Sequence, residues 1–152
     1  MSLQAKFQTL RTQLQASLIE RDAEIDAALL GLISKKHVIL EGMWGLAKSA
    51  LLRSICNAIA GARAFEYIIN KDTATSDLYG HIDMQKMANE RVWEPNTKYS
   101  VLTSEFVLAD EFFRGSSYIQ NSMLGAMNER VVHYENKRYD VPLRMLVAGS
   151  NT

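Results

Sequence analysis

Hydrophobic residues near the amino terminus recur every three or four positions, a spacing typical of amphipathic helices. The pattern predicts one helix over residues 2–18 and a second from about Asp22 to Ser34. Their apolar positions are Leu3, Phe7, Leu10, Leu14 and Leu18 in the first helix, and Ile25, Ala28, Leu29, Leu32 and Ile33 in the second. We expect the first stripe to pack against the rest of the domain, with a contact between subunits as the alternative.

Farther along the chain, short apolar runs alternate with segments of helical spacing. The runs that predict strands cover 37–41, 65–69, 105–111 and 143–148, and a hairpin is predicted over 131–135 and 138–141 with its turn around 136–137. Helices are expected over about 48–60 and from Ser117, where Ser117 and Gln120 resemble a capping box. Periodicity weakens over 70–104, so we expect a short helix at 76–79 and a hairpin or loop insert there.

A glycine-containing loop joins the first predicted strand to the helix that begins near Lys48. Backbone N–H groups and the positive end of the helix dipole favour a phosphate at such a junction. Lys48 would reach the outer phosphates, and Ser49 would ligate Mg²⁺. Ala47 stands where the usual pattern has glycine, so an ordinary turn with a chance Lys-Ser pair is the alternative. The loop reads Gly42-Met43-Trp44-Gly45-Leu46-Ala47-Lys48-Ser49.

Two later strands end in residues that suit phosphate chemistry. The run over 105–111 ends in Asp110 and Glu111, and ligands of parallel sheets bind at the carboxyl ends of strands. Asp110 suits the shell of Mg²⁺, and Glu111 suits a base that orients water for attack on a phosphate. Asn151 follows the run over 143–148, where its amide could hold that water. The alternatives are a solvated acidic strand end and a plain turn residue.

Taken in order, these segments resemble the first part of a MoxR-type AAA+ ATPase and are most similar to the RavA subgroup. The resemblance covers nearly the whole chain. The matching stretches are Glu20-Arg21, Ala47-Lys48-Ser49, Ala64-Phe65-Glu66-Tyr67, Asp77-Leu78-Tyr79-Gly80, Asp110-Glu111, Asn128-Glu129-Arg130 and Val141-Pro142-Leu143-Arg144-Met145-Leu146-Val147-Ala148. The implied fold is α/β, a three-layer P-loop core on a parallel sheet.

The resemblance also implies a site for ATP and Mg²⁺. The implied catalytic residues are Lys48, Glu111 and Asn151, and the implied Mg²⁺ ligands are Ser49 and Asp110. The implied nucleotide contacts are Gly42, Met43, Trp44, Gly45, Leu46, Ala47, Lys48, Ser49, Ala50 and Asp110, with Ile19 near the adenine. Family members commonly have Pro-Pro in place of Met43-Trp44, and proline would stiffen the loop before ligand arrives.

The family assembles into rings, usually hexameric, that remodel client proteins, often with a von Willebrand A-domain partner. The resemblance divides this chain into an amphipathic helix over 1–18 and a partial AAA+ domain over 19–152. The partial domain lacks the fifth strand, the arginine finger, the helical lid and the second sensor. We therefore expect an exposed edge at 37–41 and slow hydrolysis by this chain alone. The alternative is an incomplete or degenerate P-loop fragment that acts only as a nucleotide-binding or protein-interaction module.

Composition narrows the function classes. The 17 basic and 17 acidic residues cancel, so the chain shows no electrostatic footprint for nucleic acid and a role in nucleic-acid unwinding is disfavoured. No apolar run approaches the roughly 20 residues of a membrane span, and the polar start lacks a signal-peptide core. The single cysteine, Cys56, sits among apolar helix positions and is interpreted as a packed residue. We expect a cytoplasmic protein that is not inserted in a membrane.

Overall fold

The computed structural model describes residues 2–41 and 47–150, apart from the side chain of Ala47. The helices in this part of the chain are α1 (Leu3–Ser17), α2 (Asp22–Ser34), α3 (Ala47–Asn57), α4 (Thr75–Tyr79), α5 (Met84–Glu90) and α6 (Ser117–Asn128). The strands are β1 (Val38–Glu41), β2 (Ala64–Ile68), β3 (Phe106–Asp110), β4 (Val131–Tyr134), β5 (Lys137–Asp140) and β6 (Met145–Ser150). Short 3-10 turns cover Val101–Thr103 and Phe112–Arg114. The alternation confirms the predicted α/β class.

Four of the strands form one parallel sheet in the order β1-β6-β3-β2. Every residue of β6 and β3 is buried except Asp110, which is half-buried at the end of β3. Strands covered on both faces have nearly continuous apolar sequences, which is why the apolar runs predicted them correctly. Leu40 pairs with Gly149 and Leu108 with Val147, so β1, β6 and β3 end at the same edge of the sheet.

Helices cover both faces of this sheet. Side chains alternate along β3, so Phe106 and Leu108 pack with α1, α2 and α3, whereas Val107 and Ala109 pack with α6 and the hairpin of β4 and β5. The first face also buries Cys56, which confirms its interpretation as a packed residue. The three predicted layers are therefore present.

Helix α1 lies on the first of these faces. Leu14 is buried, and Phe7, Leu10 and Leu18 are partly buried against the same apolar cluster. Arg11 on α1 donates two hydrogen bonds to Asp26 on α2, at 2.6 and 2.7 Å. The expected packing of the stripe against the domain is confirmed for these four positions, but Leu3 is exposed.

Several predicted boundaries are wrong. Helix α3 ends at Asn57 rather than near residue 60, because the chain tightens there and the Ile59 N–H bonds the Cys56 carbonyl at 3.0 Å. Ile33, on the predicted apolar face of α2, is 58% exposed, and Ile59, just beyond the end of α3, is 37% exposed. The turn of the hairpin is Glu135-Asn136, one residue earlier than predicted, and both residues have positive φ, as a two-residue hairpin turn requires.

The insert over 70–104 follows the loop alternative rather than the hairpin and adds a helix that was not predicted. The short helix is confirmed as α4, but instead of a hairpin the chain forms α5 and a single bridge between Ile82 and Pro95. Asp83 begins α5 by accepting hydrogen bonds from the N–H groups of Gln85 and Lys86. The start of α5 is therefore determined by a local cap and not by apolar periodicity.

The start of α6 uses a different cap from the predicted one. Ser116, not Ser117, accepts the hydrogen bond from the Ile119 N–H at 3.3 Å. The Gln120 side chain donates to the Gly115 carbonyl at 2.9 Å instead of closing a capping box. The sequence contains two adjacent serines, and only the backbone conformation decides which of them caps the helix.

A histidine ties the start of β1 to the rest of the fold. His37 Nδ1 accepts a hydrogen bond from the Leu146 N–H at 3.0 Å, and Nε2 lies 2.8 Å from the Met127 carbonyl oxygen. A nitrogen that accepts from an amide cannot carry a proton, so the fold holds this ring neutral. Burial above all, and then the charges of Arg130 and Lys36, lower the pKa of His37, although its bond to Met127 opposes the shift.

We expect the free energy of unfolding to fall as the pH drops from about 7.5 to 5.5. In the unfolded chain the histidine has its ordinary pKa of about 6.5 and binds a proton that folded His37 resists. The contribution of His37 to the free energy of unfolding is therefore fully present above the unfolded pKa and is lost as the pH falls through the lowered folded pKa. Urea unfolding at a series of pH values measures the slope. His37→Asn removes the titrating group, and the same slope in native and variant chains would contradict this assignment.

Candidate functional site

The strand order brings three chain segments to one edge of the sheet. Strand β6 lies between β1 and β3, and all three run in the same direction. The carboxyl ends of β1, β3 and β6 therefore lie at the same edge, with Asp110 as the last residue of β3 and Glu111 directly after it. Ligands of open parallel sheets bind at this carboxyl edge.

An ion pair joins two of the predicted site residues across this edge. Lys48, in the first turn of α3, places Nζ 3.1 Å from Oδ1 of Asp110 at the end of β3. The lysine side chain is 12% exposed and the aspartate side chain 28% exposed, so both charges are largely withdrawn from water. The same Asp110 oxygen accepts a hydrogen bond from the Glu111 N–H at 3.1 Å. A cation and a carboxylate are thus held next to a helix amino terminus, where anions are favoured.

Gly149, in β6, provides the space for this pair. A Cβ atom added to Gly149 would lie 2.0 Å from Asp110 Oδ1 and 3.0 Å from Lys48 Nζ. Any side chain at this position would displace the carboxylate. Gly149 was not selected from the sequence, although it directly follows an apolar run, because the contact depends on which strands are neighbours.

Glu111 has an unusual backbone conformation. Its φ of 55° and ψ of 34° fall in the left-handed region, which costs a residue other than glycine on the order of 1 kcal/mol. The side chain is buried, and its Oε2 lies 3.0 Å from Arg114 Nε. Arg114 also donates its backbone N–H to the Glu111 carbonyl at 2.8 Å, which closes the 3-10 turn. Arg114 was missed by the sequence analysis, since no pattern marks a pair that depends on this turn.

The other predicted site residues lie in three places. Ser49 and Ala50 are half-buried in the first turn of α3, which Ala47 begins. Ile19 lies in the turn between α1 and α2 and is 81% exposed. The remaining predictions fall outside the described residues, and these are Gly42, Met43, Trp44, Gly45, Leu46 and Asn151.

The donor atoms of this edge suit a hard divalent cation. Hydroxyl and carboxylate oxygens, as on Ser49 and Asp110, are ligands that Mg²⁺ takes together with substrate phosphates and water. Over residues 2–41 and 47–150, no cluster of three or more histidine, cysteine or acidic side chains could hold a metal by itself. Ser49 and Asp110 offer oxygen donors of the kind that Mg²⁺ takes. None of the described helices is long and apolar enough to cross a membrane.

A family comparison covers nearly the whole chain. Residues 5–152 match the family model that is described as the MoxR domain in the MoxR-vWA-beta-propeller ternary systems. The match includes every element of the sheet and all residues of the carboxyl edge.

Individual relatives agree with this match. An uncharacterized protein of Methanocaldococcus jannaschii is 33% identical over 146 residues, which cover 96% of this chain and 38% of that protein. The chaperone MoxR1 of Mycobacterium tuberculosis is 28% identical over 134 residues, or 88% of this chain and 34% of that one. The crystal structure of a candidate ATPase from Cytophaga hutchinsonii shares the fold with a TM-score of 0.73 at 24% identity, covering 97% of this chain and 43% of that one. The chain thus spans less than half the length of these proteins.

Proposed function

The chain belongs to the MoxR family of AAA+ proteins, and from this membership we propose that it binds Mg²⁺ and ATP at the carboxyl edge of its sheet and hydrolyses the terminal phosphate bond. The observation that carries the proposal is the pair of Lys48 and Asp110 over Gly149.

Each member of the pair would exchange its partner when nucleotide binds. Lys48 would contact the phosphates in place of Asp110, and Asp110 together with Ser49 would hold Mg²⁺ in place of Lys48. Because the two charges already neutralise each other, neither is left unpaired in the low dielectric of the edge before that exchange. Mg²⁺ supplies charge neutralisation on the phosphate oxygens.

Two residues would act on the attacking water. Glu111 would orient and polarise it, since its buried carboxylate leaves the strand directly after Asp110. Asn151 would hold the water from the end of β6, which ends beside β3. The nucleotide contacts predicted for the loop over 42–46, for Ala47 and Ala50 and for Ile19 are part of the same proposal.

At the level of the whole protein, we propose a RavA-like ring ATPase in the cytoplasm that remodels client proteins. The matched family description names ternary systems with a vWA component, which supports a von Willebrand A-domain partner. The relative MoxR1 is named a chaperone, which supports client remodelling. A homo-oligomeric ring, the hexamer usual for this family, would bring neighbouring chains to the exposed edges of the site.

Phosphate release tests the hydrolytic part of the proposal. Glu111→Gln is expected to slow the release of labelled phosphate from ATP by roughly 10²-fold to 10⁴-fold, the range for removal of a general base, and to leave ATP affinity within a few fold. Turnover of the native chain is expected to be slow, so long incubations are needed. Glu129→Gln, at an exposed position just after α6, is the control and should behave like the native chain. ATP binding without any phosphate release by the native chain would instead indicate a non-hydrolysing module.

A further inference from the structure

An apolar groove crosses the end of the domain opposite the carboxyl edge. Two adjoining cavities of about 550 and 400 Å³ share Leu3, Phe7, Leu32 and Ile59 in their walls. The larger one reaches Phe106 at the amino end of β3. We call these two cavities together the amino-end groove. It is formed by the start of α1, the end of α2 and the turn after α3.

The groove leaves large apolar side chains in contact with water. Leu3 is 72% exposed, and the exposed Ile33 and Ile59 also line the groove. Single exposed apolar residues are common, but a contiguous group in a concave surface is typical of a binding site. The exposure of Leu3, Ile33 and Ile59 is explained if another molecule covers this surface.

The rim of the groove is basic. Lys6, Lys35 and Arg144 line it, and across residues 2–41 and 47–150 none of the three lies within ion-pair distance of a carboxylate. Glu105 also lines the groove, but it accepts a hydrogen bond from the Arg63 N–H at 2.7 Å and pairs with the Arg63 guanidinium at 3.4 Å. The charge that remains for a ligand is thus positive.

We propose that the amino-end groove binds an amphipathic helix of a partner protein. Apolar side chains on one face of that helix would enter the groove, and carboxylates beside that face would meet Lys6, Lys35 and Arg144. Helix α1 of a second copy does not fit this description, because α1 contains Lys6 and Arg11 and no acidic residue. The proposal does not depend on ATP binding, since the groove is remote from Lys48 and Asp110.

A displayed library of helical peptides tests the charge preference. The peptides have about 16 residues, roughly four turns, with leucine at positions i, i+3 and i+7 and with glutamate, glutamine or lysine at the flanking positions. Selection on the native chain is expected to enrich glutamate at the flanks. Selection on the doubly substituted Lys6→Glu, Lys35→Glu chain is expected to lose that enrichment. Recovery of peptides without any acidic preference, or failure to enrich any peptide on the folded native chain, would overturn the proposal.

Fluorescence anisotropy of the enriched peptide then tests the location. Ile33→Glu places a charge in the groove and should weaken binding about tenfold or more, as for loss of a central apolar contact. Ile68→Glu is the matched control, because Ile68 is also exposed but lies outside the groove. Circular dichroism confirms that both variants fold. Equal weakening by the two variants would overturn the assigned location, and so would binding of the native chain to phosphatidylserine-containing vesicles but to no peptide.

Discussion

Replacing Lys48 by alanine is expected to lower the affinity for ATP by about 10-fold to 100-fold. Charge-assisted hydrogen bonds contribute roughly 1.5–3 kcal/mol each, and each 1.4 kcal/mol changes a dissociation constant about tenfold. The substitution also leaves Asp110 without the ammonium group 3.1 Å away, so the edge gains a negative charge that opposes phosphate. The lost phosphate contact and the added negative charge both lower the affinity for ATP.

Titration of labelled ATP in the presence of Mg²⁺ measures this change. Lys98→Ala is the control, because Lys98 is exposed and lies in the insert rather than at the carboxyl edge. Lys48→Ala should retain the far-ultraviolet circular dichroism of the native chain, since the pair lies at one edge of the sheet. If the two alanine variants bind ATP equally well, Lys48 has no part in nucleotide binding.

Gly149→Ala is expected to disturb the site through β6, whereas Lys48→Ala acts through α3. The added Cβ would lie 2.0 Å from Asp110 Oδ1, so either the carboxylate or β6 must move. The atom that the Cβ meets is the end of a partly exposed side chain, so the carboxylate can turn aside at little cost in stability. We therefore expect loss of ATP binding with a fall in melting temperature of no more than roughly 2–4 °C, the loss per kcal/mol for a domain of this size.

A second glycine separates steric conflict from the general effect of adding a methyl group. Gly61→Ala also strains the backbone, because φ is +76°, but no atom lies within 4 Å of the added Cβ. This control should lose about 1 kcal/mol of stability and keep its affinity for ATP. Native-like ATP binding by Gly149→Ala would show that the pair of Lys48 and Asp110 does not need the space above Gly149.

The parts of the fold that depend on local sequence could be predicted. Strands β3 and β6 are nearly continuous apolar runs because both of their faces are buried, and α2 was predicted with its observed bounds from apolar periodicity. Asp110 and Glu111 could be assigned to a strand end for the same reason. These features need no knowledge of which elements become neighbours.

The missed features depend on neighbours or on single backbone angles. Gly149 matters because β6 lies between β1 and β3, and strand order is not encoded in a local pattern. Arg114 meets Glu111 because Glu111 takes a left-handed conformation. Helix α5 depends on the cap by Asp83, since its own residues are all exposed or half-buried and show little apolar periodicity.

The most direct test of the central claim is a crystal structure of this chain with Mg²⁺ and a non-hydrolysable ATP analogue. We expect phosphate density at the carboxyl edge, with Lys48 Nζ bonded to a phosphate oxygen instead of to Asp110, and with Mg²⁺ near Ser49 and Asp110. Nucleotide bound elsewhere on the domain, or an unchanged pair of Lys48 and Asp110 in crystals saturated with the analogue, would contradict it.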